Sequence, residues 1–450
     1  MSTLVWFRDD LRLADNPALQ AALERDEPVV CLFVLDEVSP GFRPLGGAAR
    51  WWLHHSLASL GERIRERGGM LLLRRGPASE VVPRTAAEVG ATAVAWNRRY
   101  AAAERDVDRA LKDGMREAGL EVRSFAGSLL FEPWTVRTGA DTPFSVFTPF
   151  WRRCLHLRAP RRPLPEPDRI PGPDTASPSD DLDDWMLLPT APDWAGGLRE
   201  TWEPGEPAAQ ARLRAFLAED AARYERARDE PAAGATSLLS PRLRWGELSP
   251  YTVWHAALES EVDAGRFLAE LGWREFAWHV LFHHPDLAVR SLQPAFDAFP
   301  WPPHDPERLH AWQRGRTGYP IVDAGMRELR HTGHMHNRVR MITASFLVKN
   351  LLIDWRHGEQ WFWDTLVDAD QASNAFNWQW VAGSGADAAP YFRVFNPMLQ
   401  QQKFDRQGLY RARWAPDAAD TPPIVDFIAS RNAALRAYEQ VKHARRAPAD

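Results

Sequence analysis

Cysteine is scarce in this sequence. Cys31 and Cys154 are the only two among 450 residues, too few for a disulfide framework, a four-thiolate zinc site or an iron–sulfur cluster. Any redox chemistry must therefore come from an organic cofactor. The sequence also lacks an apolar run long enough to cross a bilayer, so no membrane partner is expected. Its first residues, Met1-Ser2-Thr3-Leu4-Val5-Trp6-Phe7-Arg8-Asp9, lack the basic, apolar and small-residue regions of a signal peptide and read as a first strand; a cytoplasmic address is expected. Excess positive charge is missing as well. The formal net charge is −5, which taken alone argues against nucleic acid.

The charge is segregated, however. Residues 166–184 hold seven acids and one arginine, whereas 326–357 hold six Lys or Arg and two acids. A local basic face on an acidic chain still binds phosphates. Tryptophan is abundant, 21 against 7 tyrosines, and many lie in the C-terminal half, where Leu or Phe would pack as well. With 45% hydrophobic and 26% charged residues the composition is that of an ordinary globular protein, long enough for two or three domains.

Over 1–130 apolar runs at 4–7, 29–35, 70–73, 92–96 and 122–125 alternate with amphipathic segments near 16–25, 47–67, 78–89 and 102–118. That alternation predicts an α/β domain, a doubly wound parallel five-stranded sheet. Asn16-Pro17 reads as an N-cap with proline in the first turn. No Gly-x-Gly-x-x-Gly follows the first strand, so dinucleotide binding of the usual kind is not expected. Residues 131–205, rich in Pro, Asp, Ser and Gly, read as a long interdomain linker. From 206 to 450 helical periodicity dominates and predicts an all-α domain large enough to bury a cofactor.

Several motifs have bland alternatives. Gly383-Ser384-Gly385-Ala386-Asp387-Ala388 spells a dinucleotide fingerprint but follows a Trp-rich helix instead of a strand, and is rejected. His279, His283 and His284, and His331, His334 and His336, have spacings that could suit zinc but lack Glu or Cys partners in a metal pattern; surface or hydrogen-bonded helix histidines are expected, and no metal. Thr236-Ser237-Leu238-Leu239-Ser240-Pro241 is either a capped helix start or a phosphate cradle of hydroxyls and backbone amides. Helical spacing puts Glu270, Trp273 and Arg274 on one face, either a salt-bridged edge or a nucleotide contact. Asn337 and Met341 lie one turn apart, with Arg340 close to that face. Asp370, Asn374 and Trp378 share a face, from which Trp380 points away. The density of amides, guanidiniums, carboxylates and indoles over 335–380 exceeds what a core requires, and implies a polar, aromatic ligand.

These segments resemble the DNA photolyase/cryptochrome family. The likeness runs in order from Val5-Trp6-Phe7-Arg8-Asp9-Asp10-Leu11-Arg12-Leu13 through Thr148-Pro149-Phe150-Trp151, 236–240, Gly318-Tyr319-Pro320-Ile321-Val322-Asp323-Ala324 and 335–380 to Asp387-Ala388-Ala389-Pro390-Tyr391-Phe392-Arg393. It implies FAD bound in a bent conformation by the helical domain. Tyr224, Thr236, Ser237, Leu238, Leu239 and Ser240 would hold the phosphates, and Asp368 and Asp370 the ribityl and isoalloxazine side. Arg340 would pair with Asp368, Asn374 would sit by flavin N5, and Arg274 and Asn337 would complete the cofactor set.

Within the family the likeness is to bacterial cyclobutane pyrimidine dimer photolyases, carbon–carbon lyases, including a subgroup related to plant cryptochromes. Asn337 and Met341 would then line the lesion pocket, where (6-4) enzymes usually place histidines. Glu270 would hydrogen-bond the pyrimidine edges, with Trp273 and Trp380 packed against the dimer; Arg228, Arg338 and Gln400 match DNA-contacting positions. Trp378, Trp355 and Trp301 match a chain of electron donors leading to the surface. The resemblance implies ultraviolet-damaged DNA as the partner, and the chain is expected to be a monomer. Glu104 and Trp96-Asn97-Arg98-Arg99-Tyr100 resemble an antenna site for methenyltetrahydrofolate, with Ala103 in place of the amide found in some members and a deazaflavin as the alternative. The alternative function is a cryptochrome-type blue-light receptor. One departure stands out: after Trp414-Ala415-Pro416-Asp417 the sequence reaches Pro423-Ile424-Val425 almost directly, where the family usually carries a further helical segment.

Overall fold

The computed structural model of the chain describes residues 1–173, 177–303, 305–387 and 392–446; the part of the 387–393 motif at 388–391 lies outside them. The first 125 residues form β1 (Ser2–Phe7), β2 (Val29–Leu35), β3 (Leu71–Arg75), β4 (Ala91–Asn97) and β5 (Glu121–Phe125), interleaved with α1 (Pro17–Leu23), α2 (Gly47–Glu66), α3 (Ala78–Glu88) and α4 (Ala102–Glu117). The strands pair in the order β3-β2-β1-β4-β5, all parallel, the expected doubly wound sheet.

Successive strand residues point to opposite faces. Val5, Phe7, Cys31 and Phe33 pack with Trp51, Trp52 and Leu57 of α2, whereas Leu4, Trp6, Val30 and Leu32 pack with Val81 of α3 and Leu111 of α4. Both faces are covered, which is why these strands read as continuous apolar runs. The Asn16 side chain accepts from the Leu19 amide at 3.2 Å and Pro17 opens α1, as the sequence dictates.

An open parallel sheet takes its ligand at the carboxyl ends of its strands. Here the chain's own second half docks there. The Leu11 amide donates to the Trp245 carbonyl at 3.1 Å, Arg12 to the Gly246 carbonyl at 2.9 Å, and Arg244 to Asp9 at 2.6 Å. Gly246 sits at φ +63° with Asp9 and Asp10 so close that a Cβ would strike their backbone, so the contact requires glycine.

The stretch read as a linker contains a ten-residue helix, Phe147–His156, whose Phe147, Phe150 and Cys154 are buried in the core of the helical half. Farther on, Trp185 and Leu187 are buried in the core beneath α2. The stretch is a strap anchored on both halves. Among the described residues from 206 on, every regular element is helical. The abbreviated connection after Trp414 is tied down locally: the Ile424 amide donates to the Thr317 carbonyl at 3.0 Å and the Tyr319 hydroxyl to the Val425 carbonyl at 2.9 Å. Both cysteines are free and buried in separate cores. No helix among the described residues is long and apolar enough to cross a membrane.

Candidate active site

A cavity of about 530 Å³ opens in the helical half, walled by residues of 224–243, of helix Gly265–His283, of 334–344 and of 362–381. Its volume is that of a cofactor or substrate site.

Its inner end is polar. Arg340 grips Asp368 with two parallel N–H bonds, at 3.1 and 2.9 Å, and the Ser240 hydroxyl donates to the same carboxylate at 2.6 Å. Burial pushes the Asp368 carboxyl up, but the Arg340 guanidinium overcomes this and holds it below the usual carboxylate range. Asp370 accepts from the Ala372 and Ser373 amides at 2.9 and 2.5 Å, fixing the entry to helix Ser373–Ala382; burial raises its pKa. Asn374 lines the cavity one turn further on and donates from Nδ2 to the Glu359 carbonyl and carboxylate. Arg274 reaches the wall as well, with its donors directed to the Ser128 carbonyl at 2.8 Å and the Leu243 carbonyl at 3.5 Å.

Thr236, Ser237, Leu238, Leu239 and Ser240 form one wall. Leu238 holds φ at +55°, a left-handed backbone that costs a non-glycine residue roughly 1–2 kcal/mol, and its side chain packs against the core beneath α2. Arg212 donates to the Ser237 and Thr236 carbonyls at 2.9 and 3.3 Å and pairs with Asp220 at 3.0 Å. Tyr224 lies beside this wall, buried between Phe216 and Phe267, and burial pushes its phenol up to about 12. Hydroxyls, an unusual turn and neighbouring guanidiniums suit a phosphate-bearing ligand, and the Asp368, Asp370 and Asn374 end suits a hydroxylated, heteroaromatic one.

The outer part of the cavity is lined by Glu270, Trp273, Asn337, Met341 and Trp380, with Arg228 and Arg338 beside them. Trp273 is fixed by stacking on Phe147, centroids 3.8 Å apart and planes 10° from parallel. The Trp380 indole donates to the Asp387 carbonyl at 3.1 Å. Although Trp380 was expected to point away from the face shared by Asp370, Asn374 and Trp378, all four line this one cavity.

Trp378 also lines the cavity and is buried, edge-on to Phe362 at 4.9 Å and to Trp312 at 6.2 Å. Trp355 and Trp301 do not line it. Trp355 is buried in the same hydrophobic cluster as Trp378, and Trp301 packs against that cluster and on Phe299 at 4.3 Å. Gln400 also lies outside the cavity, on helix Pro397–Phe404; the Arg338 guanidinium rests on Phe404 at 4.4 Å.

Glu104 lies apart from the cavity. It accepts from Gln371 at 3.1 Å and lies 3.9 Å from Arg99, and the space beside it measures about 30 Å³, room for about one water molecule.

The sequence favours hydrogen-bonded or surface helix histidines over metal ligands at these positions, and His336 and His279 are hydrogen-bonded, but nothing in the spacing marks His334 and His336 as cavity residues. His334 and His336 both line the cavity, and burial holds them neutral, at about 3 and about 4. The His336 ring accepts from the Arg338 amide at 3.2 Å and thereby caps helix Asn337–Ser345. Its own amide donates to Glu328 at 3.2 Å, a carboxylate that also receives the Tyr410 hydroxyl. His279 instead accepts from the Phe144 amide at 3.1 Å. Arg212, Glu328 and Glu359 also went unnoticed, since each acts through a partner distant in sequence.

Residues 3–168 match the family described as DNA photolyase, and residues 267–445 match the FAD binding domain of DNA photolyase. The chain is 48% identical to the deoxyribodipyrimidine photo-lyase of Agrobacterium fabrum over 98% of each protein. It is 37% identical to cryptochrome-1 of Arabidopsis thaliana over 93% of this chain and 63% of that protein. Its backbone superimposes on the crystal structure of a bacterial class III photolyase from Agrobacterium tumefaciens with a TM-score of 0.94, at 47% identity and covering 98% of both chains. Sheet, helical half and cavity thus agree with the sequence comparisons: the chain belongs to the DNA photolyase family.

Proposed function

We propose that this chain binds FAD and performs light-dependent repair of cyclobutane pyrimidine dimers in DNA, as a deoxyribodipyrimidine photo-lyase. The observation that carries the proposal is the continuity of the cavity. A polar inner end with Asp368, Arg340, Asp370 and Asn374 and an outer part with Glu270, Trp273, Asn337, Met341 and Trp380 belong to one space, so two ligands held there would touch.

In this reading Tyr224 and 236–240 hold the cofactor's phosphates, Asp368 and Asp370 its ribityl and ring side, and Asn374 presents its amide oxygen to the ring edge. FAD, when bound and reduced, would supply the light absorption and an electron that opens the two inter-ring bonds of the dimer and then returns to the cofactor, with no net redox change. A dimer is inaccessible inside the duplex and has to be flipped out, a step made easier by the stacking and pairing it has already lost. Glu270 hydrogen-bonds the pyrimidine edges, Trp273 and Trp380 pack on them, and Arg228 and Arg338 hold flanking phosphates, with Gln400 on the adjoining helix. Trp378, Trp355 and Trp301 offer indoles in sequence from the cavity to the surface for refilling the cofactor with electrons. An antenna chromophore, methenyltetrahydrofolate in preference to a deazaflavin, would have to displace the Gln371 contact to use Glu104; the fluorescence of chromophore released from purified protein identifies it.

The test is reversal of dimers in ultraviolet-treated DNA by purified, reduced protein under blue light. Dimers should disappear in the light and persist in the dark. A protein that retains FAD yet leaves them intact would make the light-sensor alternative the correct function.

A further inference from the structure

Arg212 stands behind the cavity wall and does not line it. It rises from helix Glu206–Ala215, whose Ala209 and Leu213 are buried in the core of the helical half. Its Nε donates to the Ser237 carbonyl at 2.9 Å, and its Nη2 to the Thr236 carbonyl at 3.3 Å and to Asp220 at 3.0 Å. Two successive carbonyls are thus drawn to one side of the chain. A trans peptide is planar, with its N–H directed opposite to its C=O, so the Ser237 and Leu238 amides are turned to the other side. Thr236, Ser237 and Leu238 line the cavity and Arg212 does not; that other side faces the cavity. Neither amide donates to a protein group among the described residues. Leu238 at φ +55° is followed by Leu239 at φ −92° and ψ −7°, a change of hand that gathers successive amides around a hollow suited to an anion.

We propose that Arg212 is a positioning residue for the cofactor's phosphates, acting through the two peptide planes it fixes and not through its own charge. This rests on FAD being the ligand of the inner cavity. Amides already aimed at an anion bind it without a further ordering cost, whereas amides free to rotate impose that cost on binding. Holding them takes a fork. The planar guanidinium reaches two carbonyls and a carboxylate together, while a lysine ammonium supplies the same charge without that geometry. Asp220, which also pairs with Arg223 at 2.7 Å, balances part of the Arg212 charge and keeps the fork in its plane.

The test uses the full-length, FAD-loaded protein. It reads the rate of FAD release on dilution, the phosphorus resonances of the bound cofactor and the fine structure of its visible absorbance. Arg212→Gln, at a side chain 27% exposed, should release FAD about tenfold faster, the worth of a charge-assisted hydrogen bond. Its phosphorus resonances should move toward those of free FAD. Its absorbance fine structure should stay that of the wild type, because the ring belongs at the Asp368, Asp370 and Asn374 end. Arg212→Lys should behave as Arg212→Gln does. A variant that loses its FAD on purification is titrated with FAD, and the affinity replaces the release rate. Wild-type release and resonances in Arg212→Gln would overturn the proposal. So would wild-type behaviour of Arg212→Lys, which would make Arg212 a source of charge alone. Ring absorbance that changes along with the phosphorus resonances would mark a general loosening of the helical half, and overturn it too. A wild-type protein that holds no FAD would instead overturn the cofactor reading and take this inference with it.

Discussion

The Asn374 side chain gives both of its N–H bonds to one residue, the Glu359 carbonyl at 3.0 Å and the Glu359 carboxylate at 2.8 Å. The atom left for the cavity is the amide oxygen, an acceptor. Glu359 is in turn held by Arg43 through two N–H bonds, at 2.7 and 2.9 Å, and Arg43 lies over the Trp363 ring at 4.1 Å. Arg43 precedes α2 in the sheet half, so the polarity of a cavity group in the helical half is set from across the domain boundary.

Arg43→Gln should therefore do two things. It leaves the Glu359 carboxylate, 5% exposed, without its charged partner, and because Arg43 is itself partly exposed the loss of stability should be about 2 kcal/mol, below the ~3–5 kcal/mol typical of a fully buried pair. It should also alter the pH profile of flavin photoreduction, because the Glu359 carboxylate that orients the Asn374 amide loses its own anchor. Denaturant unfolding measures the first and absorbance under blue light the second; a wild-type photoreduction profile would mean that Arg43 only holds the halves together.

Trp378→Phe should abolish most photoreduction yet leave repair by chemically reduced protein intact. Gly358→Ala is a subtler version, because a Cβ at Gly358 would collide with the Trp378 ring. It should slow photoreduction by displacing the indole while every aromatic residue remains. Normal photoreduction in Trp378→Phe would rule out this electron path.

Glu270→Ala should slow repair roughly tenfold or more, in line with the ~1–3 kcal/mol lost with a buried charged hydrogen bond, with FAD content unchanged. Flavin absorbance of the purified variant and its dimer-reversal rate separate the two effects. Loss of FAD along with activity would place Glu270 in the cofactor's site instead of the lesion's.

Glu328 gives a prediction for pH. Burial pushes its carboxyl up to about 7, above the ordinary glutamate value of about 4.3 that applies once the chain unfolds. The folded state thus holds the proton more tightly, so the stabilisation is complete below about pH 4.3 and is lost as pH rises through about 7. Relative to Glu328→Gln, the wild type should lose stability over that window, by on the order of 3–4 kcal/mol, as read from unfolding midpoints at several pH values. A difference between the two that does not vary with pH would show the carboxyl titrates normally.

The sheet was legible in the sequence because each strand is an apolar run and each helix a separate amphipathic segment; even the Asn16 cap was evident. The Arg340 and Asp368 pair followed from the family likeness. Helix Phe147–His156 was hidden because proline- and acid-rich sequence beyond it gave the whole stretch the look of a linker. Arg43 and Glu359 are 316 positions apart, and no local pattern announces such a pair. His336 was legible as a hydrogen-bonded histidine in preference to a metal ligand, but its capping role was not, because spacing shows which residue types are near one another and not which ring atom accepts a backbone proton. The left-handed turn at Leu238 was invisible for a simpler reason: such turns are read from glycine or asparagine, and neither is there.

That leucine has a further consequence. Its backbone is held in a costly conformation while its side chain rests on the core beneath α2, so the turn is completed only where that surface already exists. Synthesis delivers the sheet before residue 238 leaves the ribosome, and domains fold as units in that order. The ligand wall at Leu238 is thus braced by a core that residues of both halves build.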